Sequence, residues 1–247
     1  TFHPSCREIP LHGQVLLCCT VMKVLLLLSL WVCVGATLVR HGRLESRGLW
    51  QSVHNILSWI TGSNKVTVSF FVMSKCPDAK VCEDTFLPVL KDVRSLVDVD
   101  FTYIGNKEGG QVDCMHRPSE CAGDKQRLCV QKVAPLESLL NFAMCQDANQ
   151  SAIAGNGEGC ATQSGLSKED LLQCVKNDGD KLLEASVQKA SDLSITTSCT
   201  LRVNDDIFCV HDGIWRDCGS CGSDLAACLK EKVCSISRDP KKSDFCA

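Results

Sequence analysis

Cysteine is the residue that most constrains how this chain can fold. The 247-residue sequence contains 19 cysteines, and fifteen of them lie between Cys76 and Cys246. Disulfides dominate cysteine use in oxidising compartments, whereas a reducing cytosol favours metal binding or catalysis. An odd number of cysteines also predicts at least one thiol that is free or paired with another molecule. The sequence therefore predicts a disulfide-rich domain with one unpaired cysteine, if the chain enters an oxidising compartment.

The segment after Met22 indicates that compartment. It reads MKVLLLLSLWVCVGATLV, in which one lysine precedes an apolar block and small residues follow around Ala36. This order is typical of a secretory signal peptide. The alternative is a membrane-anchoring signal, because further apolar residues lie upstream. We expect residues 1–21 to be translated sequence upstream of the true start, residues 22–36 to be the signal peptide and residues 37–64 to be a leader or linker.

The first folded segment has the pattern of a strand, a helix and a second strand. Val66 to Val72 is an uninterrupted β-branched and aromatic run, as expected for a strand buried on both faces. Pro77 lies where a helix tolerates proline best, in its first turn, and Pro88 is expected to kink or end that helix. Apolar and polar residues then alternate from Val97 to Tyr103. This order predicts a βαβ unit.

The rest of the chain has a helical pattern and then returns to strands. Helices are predicted at 135–144, 171–175 and 181–190, with a break at Asn177-Asp178-Gly179. A hairpin at 200–210 and a final helix at 223–233, capped by Ser223 or Asp224, follow. We therefore predict an α/β, thioredoxin-like domain at about residues 65–238. It carries a cysteine-rich, disulfide-stapled helical insertion at about 106–180 and a tail at 239–247.

The most specific motif is CMHRPSECAGDKQRLC, from Cys114 to Cys129. It resembles the signature of the gamma-interferon-inducible lysosomal thiol reductase (GILT) family. The positions that match in type and spacing are Cys114, His116, Glu120, Cys121 and Cys129. The positions that differ are Met115, Arg117 and Asp124, where the family usually has glutamine, glycine and asparagine. The resemblance continues at Cys145, Cys160 and Cys174 and extends from Lys65 to about Cys234.

This resemblance implies a thioredoxin-like fold, entry into the secretory pathway and reduction of protein disulfides in acidic endosomes and lysosomes. The signature also has a structural interpretation, in which its three cysteines and a buried pair of His116 and Glu120 hold the insertion together. A zinc site and a proton-shuttling His116 are the alternatives. Family members usually carry a C-x-x-C motif where the first strand meets the helix. Here that junction reads CPDA, so Ala79 stands in place of the second cysteine.

Cys76 is the candidate nucleophile. The unpaired N–H groups of a helix start stabilise a thiolate, which is the form that attacks a disulfide. Cys82 lies about 9 Å further along that helix and on a different face, beyond disulfide reach of Cys76. In thioredoxin-like domains a cis-proline lies beside the active-site cysteine, and Ser198 and Cys199 occupy the matching place. Cys199 is therefore the candidate resolving thiol, or the partner in a disulfide that blocks Cys76.

A complete C-x-x-C motif, CGSC, lies near the C-terminus at Cys218 and Cys221. It precedes the final helix and does not follow a core strand. The spacing permits a redox-active pair or, together with Cys209 and Cys228, a four-thiolate zinc site. Because disulfides dominate in an oxidising compartment, we predict that these four cysteines and Cys234 are structural and that no metal is bound.

The predicted function is that of a secretory-pathway thiol-disulfide oxidoreductase. It would reduce protein disulfides at acidic pH through a Cys76 thiolate and a mixed disulfide. Its partners would be disulfide-bonded proteins and a small-thiol reductant, and no cofactor is expected. The competing prediction is a non-catalytic secreted binding protein, stapled by disulfides, that kept the fold and lost the C-x-x-C motif. The expected location is the lysosome, a vacuole or the extracellular space.

Charge and a glycosylation signal agree with a secreted protein. The net charge is −3 and no basic cluster interleaves with aromatic residues, which argues against a nucleic-acid partner. No membrane association is expected once the signal is removed. Asn149 begins the one N-x-S/T sequon of the sequence, and we predict that it is glycosylated.

Overall fold

The computed structural model describes residues 64–109 and 111–246. The predicted upstream segment, the signal peptide and nearly all of the linker lie outside these residues. A five-stranded sheet forms the centre, in the order β2-β1-β5-β6-β7. Its strands are β1 (Val66–Val72), β2 (Val97–Tyr103), β5 (Thr200–Val203), β6 (Asp206–Asp212) and β7 (Ile214–Arg216). A two-stranded sheet contains β3 (Asn106–Glu108) and β4 (Gln111–Asp113). No helix among the described residues has the length and hydrophobicity needed to span a membrane.

The predicted βαβ unit is confirmed. β1 and β2 pair in parallel, and helix α1 (Pro77–Asp92) connects them in the chain. Both strands have the predicted limits. Every residue of β1 except Thr67 is buried, as predicted for a strand that is covered on both faces. Helix α1 does not end at Pro88. Pro88 lies on the exposed side of α1, where water can satisfy the carbonyl that loses its N–H partner.

Four helices lie between β4 and β5. They are α2 (Pro118–Val133), α3 (Leu136–Ala148), α4 (Gly157–Gln163) and α5 (Lys168–Asp192). Helix α2 packs against α3 and α5, and α3 packs against α4. The disulfide between Cys129 and Cys174 joins α2 to α5, and the disulfide between Cys145 and Cys160 joins α3 to α4. The predicted cysteine-rich, disulfide-stapled helical insertion is confirmed.

The prediction of two short helices near Gly179 was wrong. Helix α5 is a single helix of 25 residues that runs through Asn177, Asp178 and Gly179. The cause is helix packing: a Cβ at Gly179 would lie 3.3 Å from the side chain of Lys125 on α2. Glycine therefore lets α2 and α5 approach closely. This packing outweighs the cost of about 1 kcal/mol that an interior glycine imposes on a helix.

The C-terminal strands and helix follow the predicted pattern. β5 and β6 form the antiparallel hairpin, and helix α6 (Leu225–Ile236) begins after Asp224. The carboxylate of Asp224 accepts the N–H of Ala227 at 2.9 Å, so the second of the two predicted caps is the one used. Three disulfides hold this region: Cys209 with Cys218, Cys221 with Cys228, and Cys234 with Cys246.

A charged network lies in the core between α1, α2 and α3. The fully buried guanidinium of Arg127 on α2 contacts the carboxylates of Glu83 on α1 and Asp147 on α3. Its Nε donates to Oε1 of Gln146 at 2.9 Å. Burial outweighs the attraction of Arg127 and, with the nearby Asp147, raises the pKa of the Glu83 carboxyl well above its usual range. Because unpaired buried charges are costly, these contacts tie α1 to the helical insertion.

Candidate active site

Cys76 lies at the start of α1, where the sequence predicts the nucleophile. It is the N-cap residue, with an extended backbone, and its carbonyl accepts the N–H of Lys80 at 3.2 Å. It is largely buried, with 8% of the residue exposed. Within the described residues the other cysteines form seven disulfides and Cys76 alone is free. The single free thiol that the odd cysteine count predicts is therefore confirmed.

Two buried carboxylates of α2 hold the loop that leads into Cys76. Oε2 of Glu120 accepts the N–H of Lys75 at 3.1 Å, and Oδ1 of Asp124 accepts the N–H of Ser74 at 3.2 Å. Both acids are fully buried. Burial outweighs the hydrogen bond from Ser74 and raises the pKa of the Asp124 carboxyl well above its usual range. The signature acid Glu120 and the neighbouring Asp124 thus fix the backbone before the nucleophile.

The signature histidine contacts one of these acids. Nδ1 of His116 lies 2.6 Å from Oε2 of Glu120, and the backbone N–H of His116 donates to Oε1 at 3.1 Å. The His116 side chain is 30% exposed, whereas Glu120 is fully enclosed. A disulfide between Cys114 and Cys121 closes the loop around them. His116 thus contacts both carboxylate oxygens of Glu120, one through its ring and one through its backbone N–H.

The segment after α3 holds the same loop from another side. Nε2 of Gln150 donates to the carbonyls of Ser74 at 3.2 Å and Cys76 at 2.8 Å. Nζ of Lys75 donates to the carbonyls of Ser151 at 3.0 Å and Ile153 at 2.9 Å. Sequence reasoning missed both contacts, because Gln150 appeared only as the middle residue of the sequon. The sequon residue Asn149 itself is exposed.

Ser198 and Cys199 lie beside Cys76, as the thioredoxin-like order predicts. Sγ of Cys76 is 3.9 Å from the carbonyl oxygen of Ser198. The hydroxyl of Ser198 accepts the N–H of Met73 at 3.0 Å, which ties this segment to the end of β1. The peptide bond between Ser198 and Cys199 is cis. The place that a cis-proline would occupy is thus filled by a serine and a cysteine.

The expectation of a free thiol at Cys199 needs correction. Cys199 forms a disulfide with Cys82 of α1, across 117 residues of sequence, and both residues are fully buried. A sulfur in an intact disulfide has no thiolate with which to resolve a mixed disulfide. Cys82 lies six residues further along α1 than Cys76, and the helix rotation turns it toward Cys199. Helix geometry predicted that Cys82 is beyond reach of Cys76, but it did not identify Cys199 as the partner of Cys82.

A carboxylate and an imidazole that sequence reasoning missed complete the surroundings of Cys76. Oδ2 of Asp78 lies 4.0 Å from Sγ of Cys76, and Oδ1 accepts the N–H of Gly213 at 2.8 Å. Nδ1 of His211 lies 2.7 Å from the same Oδ1. The ring of His211 packs edge-on against Trp215, with centroids 4.6 Å apart. The sequence signals available for these two residues were the CPDA and VHDG segments, but the residues match the spacing of no known motif.

The C-terminal motif is not assembled as a dithiol pair. Cys218 and Cys221 bond to Cys209 and Cys228 respectively, and not to each other. These sulfurs offer no thiolates to zinc while the disulfides are intact. The motif therefore supplies neither a redox pair nor a metal site in this state.

Three solved structures share the fold of this chain. They are the disulfide bond oxidoreductase DsbG from Mycobacterium tuberculosis in its reduced form, and DsbA from the same organism in oxidised and reduced forms. Each is 17% identical to this chain and covers 73% of it, with TM-scores of 0.50, 0.51 and 0.51. The matches cover 83%, 88% and 87% of those proteins. They confirm the predicted thioredoxin-like class. No curated protein sequence matches this chain.

The sequence profile of one family, gamma interferon inducible lysosomal thiol reductase (GILT), matches residues 67–164. The matched part begins in β1, includes Cys76 and the signature from Cys114 to Cys129, and ends after α4. It therefore contains the acids and amide that hold the loop before Cys76. Residues 67–164 of this chain are thus similar to the gamma interferon inducible lysosomal thiol reductase family, and within that stretch Ala79 stands three residues after Cys76.

Proposed function

We propose that this protein is a secretory-pathway thiol-disulfide oxidoreductase that reduces disulfide bonds in other proteins. The observation that carries the proposal is the thiol of Cys76, the one free cysteine in the part of the chain that the structure describes, at the N-terminus of α1 and beside the Ser198 carbonyl. The family match and the oxidoreductases that share the fold support the same class of reaction. We take about residues 65–238 as the domain that performs it, with the insertion at about 106–180.

The first step is attack by the Cys76 thiolate on one sulfur of a substrate disulfide. The thiol loses its proton, and the thiolate is stabilised by the unpaired N–H groups of the first turn of α1. A bond forms between Cys76 and that sulfur, and the substrate S–S bond breaks. The second substrate sulfur leaves with the electron pair and takes up a proton.

The second step requires a thiol from outside the chain, because Cys199 is bonded to Cys82. A small-thiol reductant attacks Cys76 in the mixed disulfide and releases the remaining substrate thiol. A second reductant molecule then attacks the sulfur of the first and restores the Cys76 thiolate. One substrate disulfide is thereby reduced and one reductant disulfide is formed, so that atoms and electrons balance.

An acidic compartment, the lysosome or a vacuole, is the location that we propose, with the extracellular space as the alternative. Seven disulfides support an oxidising route through the secretory pathway. Burial raises the pKa of the Asp124 carboxyl, so the stability that this acid contributes is present at low pH and is lost as the pH rises. The exposed Asn149 is free to carry the predicted glycan.

A non-catalytic binding protein is the second candidate function. Two observations favour it: Ala79 is buried where a second cysteine would lie, and Cys199 is held in a disulfide. In that case the domain would present a surface to a partner without exchanging disulfides. The free thiol of Cys76 would then have no role in turnover.

The experiment that separates the two candidates is a reductase assay on a disulfide-bonded protein at acidic pH with a small-thiol donor. Replacement of Cys76→Ser removes the nucleophile and should abolish the catalysed rate. The matched control, Cys234→Ser with Cys246→Ser, removes two cysteines that join α6 to the tail and should retain the rate. Equal rates with wild type and Cys76→Ser, both at the uncatalysed level, would favour the binding protein.

A further inference from the structure

We propose that Asp78 and His211 act as a charge pair that sets the thiolate fraction of Cys76. The proposal concerns the reactivity of the thiol and rests on the proposed function only for its use in turnover. Oδ2 of Asp78 lies 4.0 Å from Sγ of Cys76, and Oδ1 lies 2.7 Å from Nδ1 of His211. The carboxylate therefore stands between the nucleophile and the imidazole.

A backbone hydrogen bond holds Asp78 in this place. The N–H of Gly213 donates to Oδ1 at 2.8 Å, from the turn between β6 and β7. Gly213 has a φ of +71°, which a side chain would strain, so glycine lets this N–H point at Asp78. The carboxylate is consequently unable to swing away from Cys76 without loss of a hydrogen bond.

His211 is fixed by its neighbours and coupled to Asp78 by charge. Its side chain is 10% exposed and packs edge-on against Trp215. Nδ1 has no well-directed hydrogen bond among the described residues, despite its short distance to Oδ1. The contact is therefore mainly electrostatic, and its strength depends on whether the imidazole is protonated.

The two members of the pair affect the thiolate in opposite directions. A carboxylate at about 4–6 Å disfavours a second negative charge, whereas a nearby cation favours it. When His211 is protonated, the pair is neutral overall and the Cys76 thiolate is tolerated. When His211 is neutral, Asp78 carries an uncompensated negative charge beside the thiol. The pair therefore favours the thiolate whenever His211 carries a proton, and protons are more available at acidic pH.

Other charged groups around the site already have partners. From the loop before α1, the Lys75 ammonium donates to two carbonyls, and from α2 Glu120 contacts His116. On α1 itself Lys80 pairs with Asp84, and Glu83 pairs with Arg127. At β6 and β7, Asp212 pairs with Arg216. The buried face of α6, which packs on α1, carries Leu225, Leu229 and Val233. Glu120 and His116 form a second carboxylate–imidazole pair, but among the described residues Asp78 is the charged group in contact with Sγ of Cys76, at 4.0 Å.

The test is the rate of Cys76 alkylation by iodoacetamide in the oxidised, folded protein, measured from about pH 4 to pH 9. Iodoacetamide is neutral, so the rate reports the thiolate without a charge effect of the probe. The wild type should show a shallow profile, because loss of the His211 proton opposes loss of the thiol proton. His211→Gln should lower the acidic-side rate by about threefold to tenfold. Asp78→Asn, which keeps an acceptor for Gly213, should raise the rate above pH 7 by a similar factor.

The matched control is Asp84→Asn, which removes an exposed carboxylate from the same helix and should leave the profile unchanged. Opposite shifts by the two pair variants cannot arise from simple loss of folding. Shifts in the same direction, or profiles equal to wild type, would overturn the proposal. Altered profiles without reductase turnover would leave this inference intact and refute the proposed function. Reductase turnover with unaltered alkylation profiles would refute this inference and leave the proposed function intact.

Discussion

The CPDA segment at Cys76 and the CGSC segment at Cys218 show that the spacing of a redox motif and the presence of a free thiol need not coincide. CGSC has the complete spacing of a redox motif, yet its two cysteines belong to separate disulfides. CPDA has lost its second cysteine, yet Cys76 remains free at the start of a helix that follows a core strand. Position on the secondary structure therefore indicates the nucleophile better than spacing does.

The two segments also differ in what holds them. Disulfides fix the CGSC segment to β6 and α6. The loop before Cys76 donates hydrogen bonds to Glu120 and Asp124 and accepts one from Gln150, and the Arg127 network ties α1 to the insertion. We therefore expect the Cys76 region to depend on buried polar contacts and to tolerate loss of the C-terminal disulfides.

The largest effect is expected from Arg127→Met. The substitution leaves Glu83 and Asp147 buried without a cation, and loss of one partner from a buried ion pair costs about 3–5 kcal/mol. Urea unfolding followed by circular dichroism measures the loss. The matched control is Lys132→Met on the same helix, whose partner Asp178 is exposed, and it should cost less than about 1 kcal/mol. Equal losses in the two variants would refute the structural role of the Arg127 network.

The next largest effect is expected from loss of a disulfide that holds the CGSC segment. Cys209→Ser with Cys218→Ser removes one short-loop disulfide and should lower the free energy of unfolding by about 2–3 kcal/mol. The alkylation rate of Cys76 and the reductase rate should stay within about twofold of wild type, because the loop before Cys76 is held elsewhere. Selective loss of reductase activity in a folded double variant would instead assign the chemistry to the C-terminal cysteines.

Asp124→Asn should change how stability depends on pH. The pKa of Asp124 is raised in the folded protein. Its contribution to the free energy of unfolding is therefore fully present below the ordinary carboxyl pKa of about 3.9, and it is lost as the pH rises through the pKa of the folded state. Asparagine can accept the Ser74 N–H without this loss. The variant should therefore gain about 1 kcal/mol or more relative to wild type at neutral pH, and much less at acidic pH. Urea unfolding at the two pH values measures the difference, with Asp84→Asn as the exposed control.

The smallest effect is expected from Arg117→Gly. Arg117 has φ of 79° and ψ of 172°, in a region that glycine adopts almost alone, and the family usually has glycine there. Relief of strain, offset by the greater freedom of glycine in the unfolded chain, should stabilise the protein by about 1 kcal/mol. Thermal unfolding measures the gain. Arg117→Ala keeps the strain and should show little change, so equal gains in both variants would contradict this explanation.

Local patterns predicted the features that depend on neighbours in sequence. The limits of β1 follow from an apolar run and those of β2 from alternating apolar and polar residues, and residue type narrowed the cap of α6 to Ser223 or Asp224. The free thiol followed from cysteine parity alone. These features needed no knowledge of contacts between distant segments.

The features that sequence reasoning missed depend on contacts across the fold. Helix α5 passes through Gly179 because α2 lies against it, and Cys199 bonds to Cys82 across 117 residues. The contact between Asp78 and His211 likewise joins residues from α1 and β6. No local spacing indicates such pairs, since the sheet and its connections decide which side chains meet.

The most direct test of the account is a map of alkylated cysteines in the folded, oxidised protein. The protein is treated with an alkylating agent without prior reduction, unfolded, digested and analysed by peptide mass spectrometry. We expect one adduct in the domain, on Cys76, with Cys82 bonded to Cys199 and the CGSC cysteines in separate disulfides. An unmodified Cys76, or adducts on Cys199, Cys218 or Cys221, would contradict it.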